Sequence, residues 1–312
     1  MPRRPTALFI AALAAVAVAA PGATAASPRP FTARTVPFEG HRLYVRDYPG
    51  RGPALVLMHG FPDDLHLYDY LIPDLRGRRT IAFDFLGWGR SDKPPHHRYT
   101  FAEQGRELDA VVRSLHLGAV VPVAHDGSGP AGIDWSLAHR DRVAALVLLN
   151  TFYSVMPTTN APQAIRIFSQ PEFRPLARAI AADRAETRFL FFWQVGRFMS
   201  DPRVRATMLH RLWPNFVRSL AAFRSLNRDL IPTVTANTER TPELNAFDRP
   251  VRIIFGARDP YLNRGMAQSF HDEMPTSDLF LLPARHYVQV DAPARVAQLI
   301  ESVPLAPTAS GH

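Results

Sequence analysis

The sequence predicts an α/β fold: a mostly parallel central sheet, helices on both faces, and a helical cap inserted between two strands. Three observations carry this. Short continuous apolar runs alternate with helical patterns, as strands buried on both faces require. From about Thr151 to Phe247 that alternation stops, and the chain reads as helix rich in Phe, Arg and Leu, with no buried-strand run. Around Asp126 an apolar strand passes straight into a glycine-rich turn and then a helix.

Residues 1–26 stand outside this fold. Arg3 and Arg4 precede an apolar run from Leu8 to Ala20 that is short for a membrane span, and Ala23-Thr24-Ala25 supplies small residues for cleavage. The pattern predicts a secretory signal cut near Ala25 or Ala26. The protein would then be secreted or periplasmic, with no stable membrane span after cleavage.

The core opens over residues 27–151. Strands are expected at Leu43–Tyr48, Ala54–Met58, Thr80–Phe83, Val120–Ala124 and Ala145–Leu149, and helices at Phe101–Leu115 and Ala131–Leu137. The cap follows over 152–247. Pro157, Pro162 and Pro171 at its entry, and Pro232 and Pro242 at its exit, read as joints. The core resumes over 248–304 with strands at Val251–Phe255 and Leu279–Leu282. Residues 305–312 form a short, proline-containing tail.

Composition narrows the function classes. Of 312 residues 46% are hydrophobic and 21% charged, an ordinary globular balance. There is no cysteine, which excludes disulfides, a thiol nucleophile and a Cys-ligated metal. The formal charge is +8, and Lys93 is the only lysine. The arginines are scattered, with no run denser than Arg76 to Arg79, so a solvated basic surface is favoured over a nucleic-acid groove. No cofactor or metal is expected, and no oligomeric state is specified.

The chemistry concentrates in Val120-Val121-Pro122-Val123-Ala124-His125-Asp126-Gly127-Ser128-Gly129-Pro130. A sharp strand-to-helix turn forces an unfavourable backbone angle on its tip residue, so the neighbours must be small. Ala124 and Ser128, both small, flank Asp126 at two residues' distance, and Gly127 and Gly129 allow close approach, so Asp126 takes the tip. The positive end of the helix would favour its ionised form, as a nucleophile needs. Two other readings stand beside this one. Asp126 could be only the helix N-cap, or Ser128 could be the nucleophile of an esterase.

His59-Gly60-Phe61-Pro62 follows an apolar strand, where a loop can aim the Phe61 N–H into the site beside that of Gly127 and stabilise an oxyanion. As a bare tetrapeptide it is equally an ordinary turn. Asp84-Phe85-Leu86-Gly87-Trp88-Gly89-Arg90-Ser91-Asp92 lacks the glycine spacing of a dinucleotide fingerprint. It reads as structural, with Asp84 and Ser91 bonded to nearby backbone. Asp259 ends the strand after the cap, and His286 follows the last strand. The order nucleophile, acid, histidine suits this class of fold. His125 reads as a packed neighbour rather than a second base.

On these motifs the chain from about Phe38 to Ile300 resembles the α/β-hydrolase fold. The His-Gly-Phe-Pro loop, the Gly-Trp-Gly-Arg-Ser turn and the His-Asp tip resemble the branch that contains epoxide hydrolases and haloalkane dehalogenases. The resemblance implies that Asp126 attacks an electrophilic carbon and forms an alkyl-enzyme ester. His286, oriented by Asp259, would activate water to hydrolyse it, and the N–H groups of Phe61 and Gly127 would hold the oxyanion.

Two departures stand out. Where haloalkane dehalogenases carry a halide-binding Trp after the nucleophile, this chain has Gly127. Where epoxide hydrolases use two cap tyrosines, this cap has Tyr153 at its entrance and none after it. Trp193 and Trp213 are therefore taken as leaving-group candidates, with His210, Gln194 and Asn215 as polar helpers and His125 and Tyr153 as further contacts. Both tryptophans could equally pack the cap against the core. Phe189, Phe191 and Phe192 would line an apolar pocket or the cap interior, so the expected partners are a small hydrophobic substrate and water. The leading expectation is a dehalogenase-like hydrolase. An epoxide hydrolase, a Ser128 esterase and a non-catalytic binding protein follow.

Overall fold

The computed structural model describes residues 29–307. The expected signal over 1–26 lies outside the described residues, as do 308–312 of the tail.

Eight strands form one sheet in the order β1-β2-β4-β3-β5-β6-β7-β8. They are β1 (Thr32–Phe38), β2 (His41–Tyr48), β3 (Arg51–Met58), β4 (Arg78–Phe83), β5 (Val120–Asp126), β6 (Leu146–Thr151), β7 (Val251–Gly256) and β8 (Ser277–Leu282). β2 pairs antiparallel with β1 and β4, and all other pairings are parallel. β6 and β7 are buried at every residue, and β5 at every residue but Asp126. Their sequences accordingly run apolar without alternation. β1 was not expected. Its exposed, mixed residues give no buried-strand signal, because it is an edge strand tied only to β2.

Outside the cap, the helices that cover the sheet are few. α1 (Phe101–Ser114) starts at Thr100, whose side chain accepts from the Glu103 N–H, and buries Leu108, Val111 and Val112. α2 (Gly129–Ala138) has Pro130 in its first turn. Between β6 and β7 lie α3 (Gln163–Ser169), α4 (Arg174–Ala182), α5 (Arg184–Val195), α6 (Pro202–Phe216), α7 (Leu220–Glu239) and α8 (Pro242–Asn245). Asp183 and Asp201 cap α5 and α6. Pro162 and Pro242 sit at helix starts as joints do, but Pro232 lies inside α7. Residues 152–162 are irregular rather than helical. After β7 come α9 (Arg264–Glu273), α10 (Val288–Asp291) and α11 (Pro293–Glu301).

The strand order reverses at β3, whose neighbours β4 and β5 leave it on opposite sides. Met58 and Ala124 are register partners, so the carboxyl ends of β3 and β5 open side by side under the cap. In open parallel sheets this switch point is where ligands bind.

Candidate active site

Asp126 ends β5 with φ +48°, a left-handed conformation that a non-glycine residue adopts at a cost of about 1–3 kcal/mol. The surroundings hold it there: the Thr151 hydroxyl donates to the Asp126 carbonyl at 2.6 Å. Close approach explains two glycines. A Cβ on Gly60 would meet the Asp126 carboxylate at 2.6 Å, and one on Gly127 would meet the Phe61 ring at 2.2 Å. The turn therefore lifts the carboxyl group to the cavity, where 14% of that mostly buried side chain stays open to the space beneath the cap. Asp126 is not an N-cap. Ser128 occupies that position.

Ser128 faces the other way. Its hydroxyl is fully buried 2.9 Å from the Met58 carbonyl and 2.8 Å from that of His125, and it accepts from the His125 N–H. This corrects the serine-esterase reading, since that oxygen pins the turn from below.

Two residues from distant parts of the chain meet at Asp126, and a third, Asp259, stands behind one of them. The Phe61 N–H donates to Oδ2 at 3.1 Å. His286 Nε2 lies 3.8 Å from Oδ1, and its Nδ1 bonds Asp259 Oδ2 at 2.7 Å. Asn150, at the end of β6, donates to the same Asp259 oxygen at 2.9 Å, and the Tyr261 N–H takes Oδ1 at 2.9 Å. Asp259 is thus fully bonded and fixes the imidazole through one nitrogen. Asn150 and Thr151 were missed from sequence, although their place at the carboxyl end of a buried parallel strand could have found them.

The charges follow this packing. Burial raises the Asp126 pKa above the ordinary carboxylate value, against the pull of His286 and the Phe61 and Gly127 N–H groups. Burial pushes His286 down, but the charge and hydrogen bond of Asp259, with Asp126 and Asp63, outweigh it and leave the imidazole above the ordinary histidine value. Beneath the site Asp63 is buried and takes a hydrogen bond from the Tyr287 hydroxyl. Burial pushes its pKa up to about 8.

The motifs around this centre are structural. His59 sits 2.7 Å from the Gly60 carbonyl through Nδ1 and accepts from the Phe85 N–H through Nε2, tying two loops together. Asp84 accepts from the Leu65 and Arg90 N–H groups, and the Ser91 hydroxyl donates to the Asp84 carbonyl.

A cavity of about 210 Å³ opens over Asp126 and His286. Its wall is mainly apolar, with Phe152, Phe191, Phe198 and Phe223 prominent. Several contacts expected from sequence lie elsewhere. Trp193 is outside the lining, with the Arg197 guanidinium 3.8 Å from its ring centroid. Trp213 packs against Phe191, Phe192 and Phe216 inside the cap. Tyr153 turns away and donates to Asp134 at 2.8 Å. His125 is buried behind His286, its ring 4.9 Å away, and burial drives its pKa well below the usual value. Asn215 bonds Asp64, and His210 packs on Phe192. Phe189 is exposed at 65%, and Phe192 is a cap residue outside the lining. Each packs where helix geometry sends it, and periodicity alone does not say which side of a cap helix faces the cavity.

Of the polar candidates, Gln194 does line the cavity. Its Nε2 is 3.1 Å from the hydroxyl of Tyr261, which also lines the cavity, and its Oε1 has no partner among the described residues. Tyr261 was not anticipated. It stands two residues after Asp259, where the same loop that orients the imidazole delivers it.

Comparison with known proteins agrees with this fold. Residues 53–293 match the alpha/beta hydrolase fold family. A haloalkane dehalogenase of Mycobacterium marinum is 27% identical, over 83% of this chain and 87% of its own. A cis-3-alkyl-4-alkyloxetan-2-one decarboxylase of Xanthomonas campestris is 27% identical, over 80% of this chain and 87% of its own. The structure of haloalkane dehalogenase DatA from Agrobacterium tumefaciens shares the fold with a TM-score of 0.72 at 22% identity, covering 87% of this chain and 95% of that one. The chain belongs to the alpha/beta hydrolase fold family and is a hydrolase, with haloalkane dehalogenases among its relatives.

Proposed function

We propose that the protein is an exported hydrolase that works through a covalent ester on Asp126 and takes a small, largely apolar substrate. The observation that carries this is the division of labour on one carboxylate. Oδ2 rests on the Phe61 N–H, while Oδ1 faces His286 and the cavity. Oδ1 is the attacking atom: it bonds to an electrophilic carbon as the bond from that carbon to the leaving group breaks. Water held by His286 Nε2 then attacks the ester carbonyl carbon and gives its proton to the imidazole. The N–H groups of Phe61 and Gly127 stabilise the oxyanion, and the alcohol departs with the oxygen that had been Oδ1. Asp259 keeps the imidazole in the tautomer that leaves Nε2 free to accept.

The dehalogenase-named relatives support displacement of halide as the leading reaction. Epoxide opening is a second reading, favoured by Tyr261, which lines the cavity. Its hydroxyl accepts from Gln194 Nε2 at 3.1 Å and keeps its own proton to donate to an oxygen leaving group. Halide release from haloalkanes, measured against diol formation from epoxides, separates the two. The nucleophile itself is tested by exchange. Asp126→Asn should abolish turnover while Ser128→Ala, if it folds, keeps it; the reverse pattern would overturn the proposal.

A further inference from the structure

Beyond residue 26, the positive excess of this chain is confined to one part of it. Residues 152–247 hold thirteen arginines against seven carboxylates, whereas the rest of the chain beyond residue 26 holds twenty-one basic and twenty-one acidic residues. The core is neutral, and the cap carries the entire excess. Four of the seven exposed large hydrophobic side chains among the described residues, Val155, Leu176, Phe189 and Ile231, belong to the cap as well.

Part of that charge adjoins two of these side chains, Ile231 and Val155. Arg174 and Arg178 on α4 and Arg224 and Arg228 on α7 bracket a groove floored by Phe168. No carboxylate lies within 4.0 Å of these four guanidinium groups among the described residues. Burial and the neighbouring charges of Arg228 and Arg178 lower the Arg224 pKa, so the cluster is short of counter-charge. Phe168 also lines the catalytic cavity. Arg224, Arg228 and Ile231 fall at spacings of four and three on α7 and so share one stripe of that helix. Ile231 and Val155 are exposed and line the cavity at once, which places them at its mouth.

We infer that the outer face of the cap docks on an anionic lipid surface, with the cavity mouth set against it. Guanidinium groups pair with headgroup phosphates, and the exposed aliphatic side chains enter the acyl boundary. An apolar substrate dissolved in the bilayer would then reach Asp126 without crossing water. A nucleic-acid partner fits less well, because exposed Val155 and Ile231 have no apolar counterpart along a phosphate track. No helix among the described residues is long and apolar enough to cross a membrane, so this contact is peripheral.

Co-sedimentation of the full chain with vesicles tests this, using phosphatidylcholine alone and phosphatidylcholine mixed with phosphatidylglycerol. The mixed vesicles should bind the protein, with affinity falling as salt is raised. Replacing Arg224 and Arg228 by Gln, or Arg174 and Arg178 by Gln, should weaken binding roughly fivefold per arginine removed. Ile231→Ser should weaken it further, while Arg51→Gln and Arg76→Gln in the core should leave it unchanged. Thermal midpoints and hydrolysis of a water-soluble substrate check that the arginine variants are folded. If one pair misfolds, the other is read alone. Unchanged binding in the folded arginine variants, or equal binding to both vesicles, would overturn the inference. So would vesicle-independent dimerisation abolished by the same substitutions.

Discussion

His286 Nε2 stands 3.8 Å from Asp126 Oδ1, beyond a direct hydrogen bond, while its other ring nitrogen is held at 2.7 Å by Asp259. An imidazole so placed serves a water bound for the ester carbon better than it serves the carboxylate itself. His286→Gln should therefore leave the first half-reaction running and stop the second. One equivalent of leaving group should appear in a burst, with intact-mass measurement showing the substrate's alkyl group on the protein. Steady turnover by this variant would show that another base does the work.

The pH profile should carry the mark of Asp259. The proposed mechanism needs neutral His286, whose pKa is raised, so activity should climb with pH through a value above the ordinary 6.5. Asp259→Asn removes the charge that raises it. The acid limb should then move to lower pH, and the maximal rate should fall by about 10³ to 10⁴ as tautomer control is lost. An acid limb that does not move would detach Asp259 from the imidazole.

Asp63 should cost stability at alkaline pH. Its folded pKa is raised from 3.8 to about 8, so the folded state keeps a proton that the unfolded chain has released. Stability from this group is intact below 3.8 and drains away as pH rises to about 8. Asp63→Asn still accepts from the Tyr287 hydroxyl and has nothing to ionise. Its thermal midpoint should fall less steeply than that of the parent between those limits. Parallel curves would contradict the assignment.

Gly60→Ala tests the close packing around Asp126, the proposed nucleophile. A methyl group there overlaps the Asp126 side chain at 2.5 Å, and a displacement of about 1 Å at the reacting atom can cost on the order of 10² in rate. A loss of kcat in a folded protein is expected. Full activity would mean that the carboxylate tolerates movement.

Tyr261→Phe should divide substrates by leaving group. Oxygen leaving groups need a proton and should slow by about 10² or more, whereas halides should change far less. Equal loss on both would make Tyr261 a support for Gln194 and Asp259 only.

The sheet and the meeting of Asp126, Asp259 and His286 were legible because buried parallel strands write unbroken apolar runs, and this site hangs on their carboxyl ends. β1 was not, since a solvated edge strand leaves no such run. Ala124 and Ser128 mark Asp126 as the tip in sequence, whereas Asp126 and Pro130 stand where a Ser128 tip would need small residues. In the structure the left-handed angle falls on Asp126, and the Ser128 hydroxyl turns down to the Met58 carbonyl. The cap was the least legible part. Trp193, Trp213 and Gln194 occupy equally amphipathic helices, and tertiary packing alone turned Gln194 inward and the tryptophans away. Tyr261 escaped notice because a tyrosine after a strand end carries no pattern until the loop is folded.

The covalent step can be read most directly from where solvent oxygen goes. In a single turnover in heavy-oxygen water, followed by proteolysis and mass spectrometry, the peptide carrying Asp126 should gain one heavy oxygen while the alcohol product stays light. A heavy alcohol with an unlabelled Asp126 peptide would mean that water attacks the substrate itself.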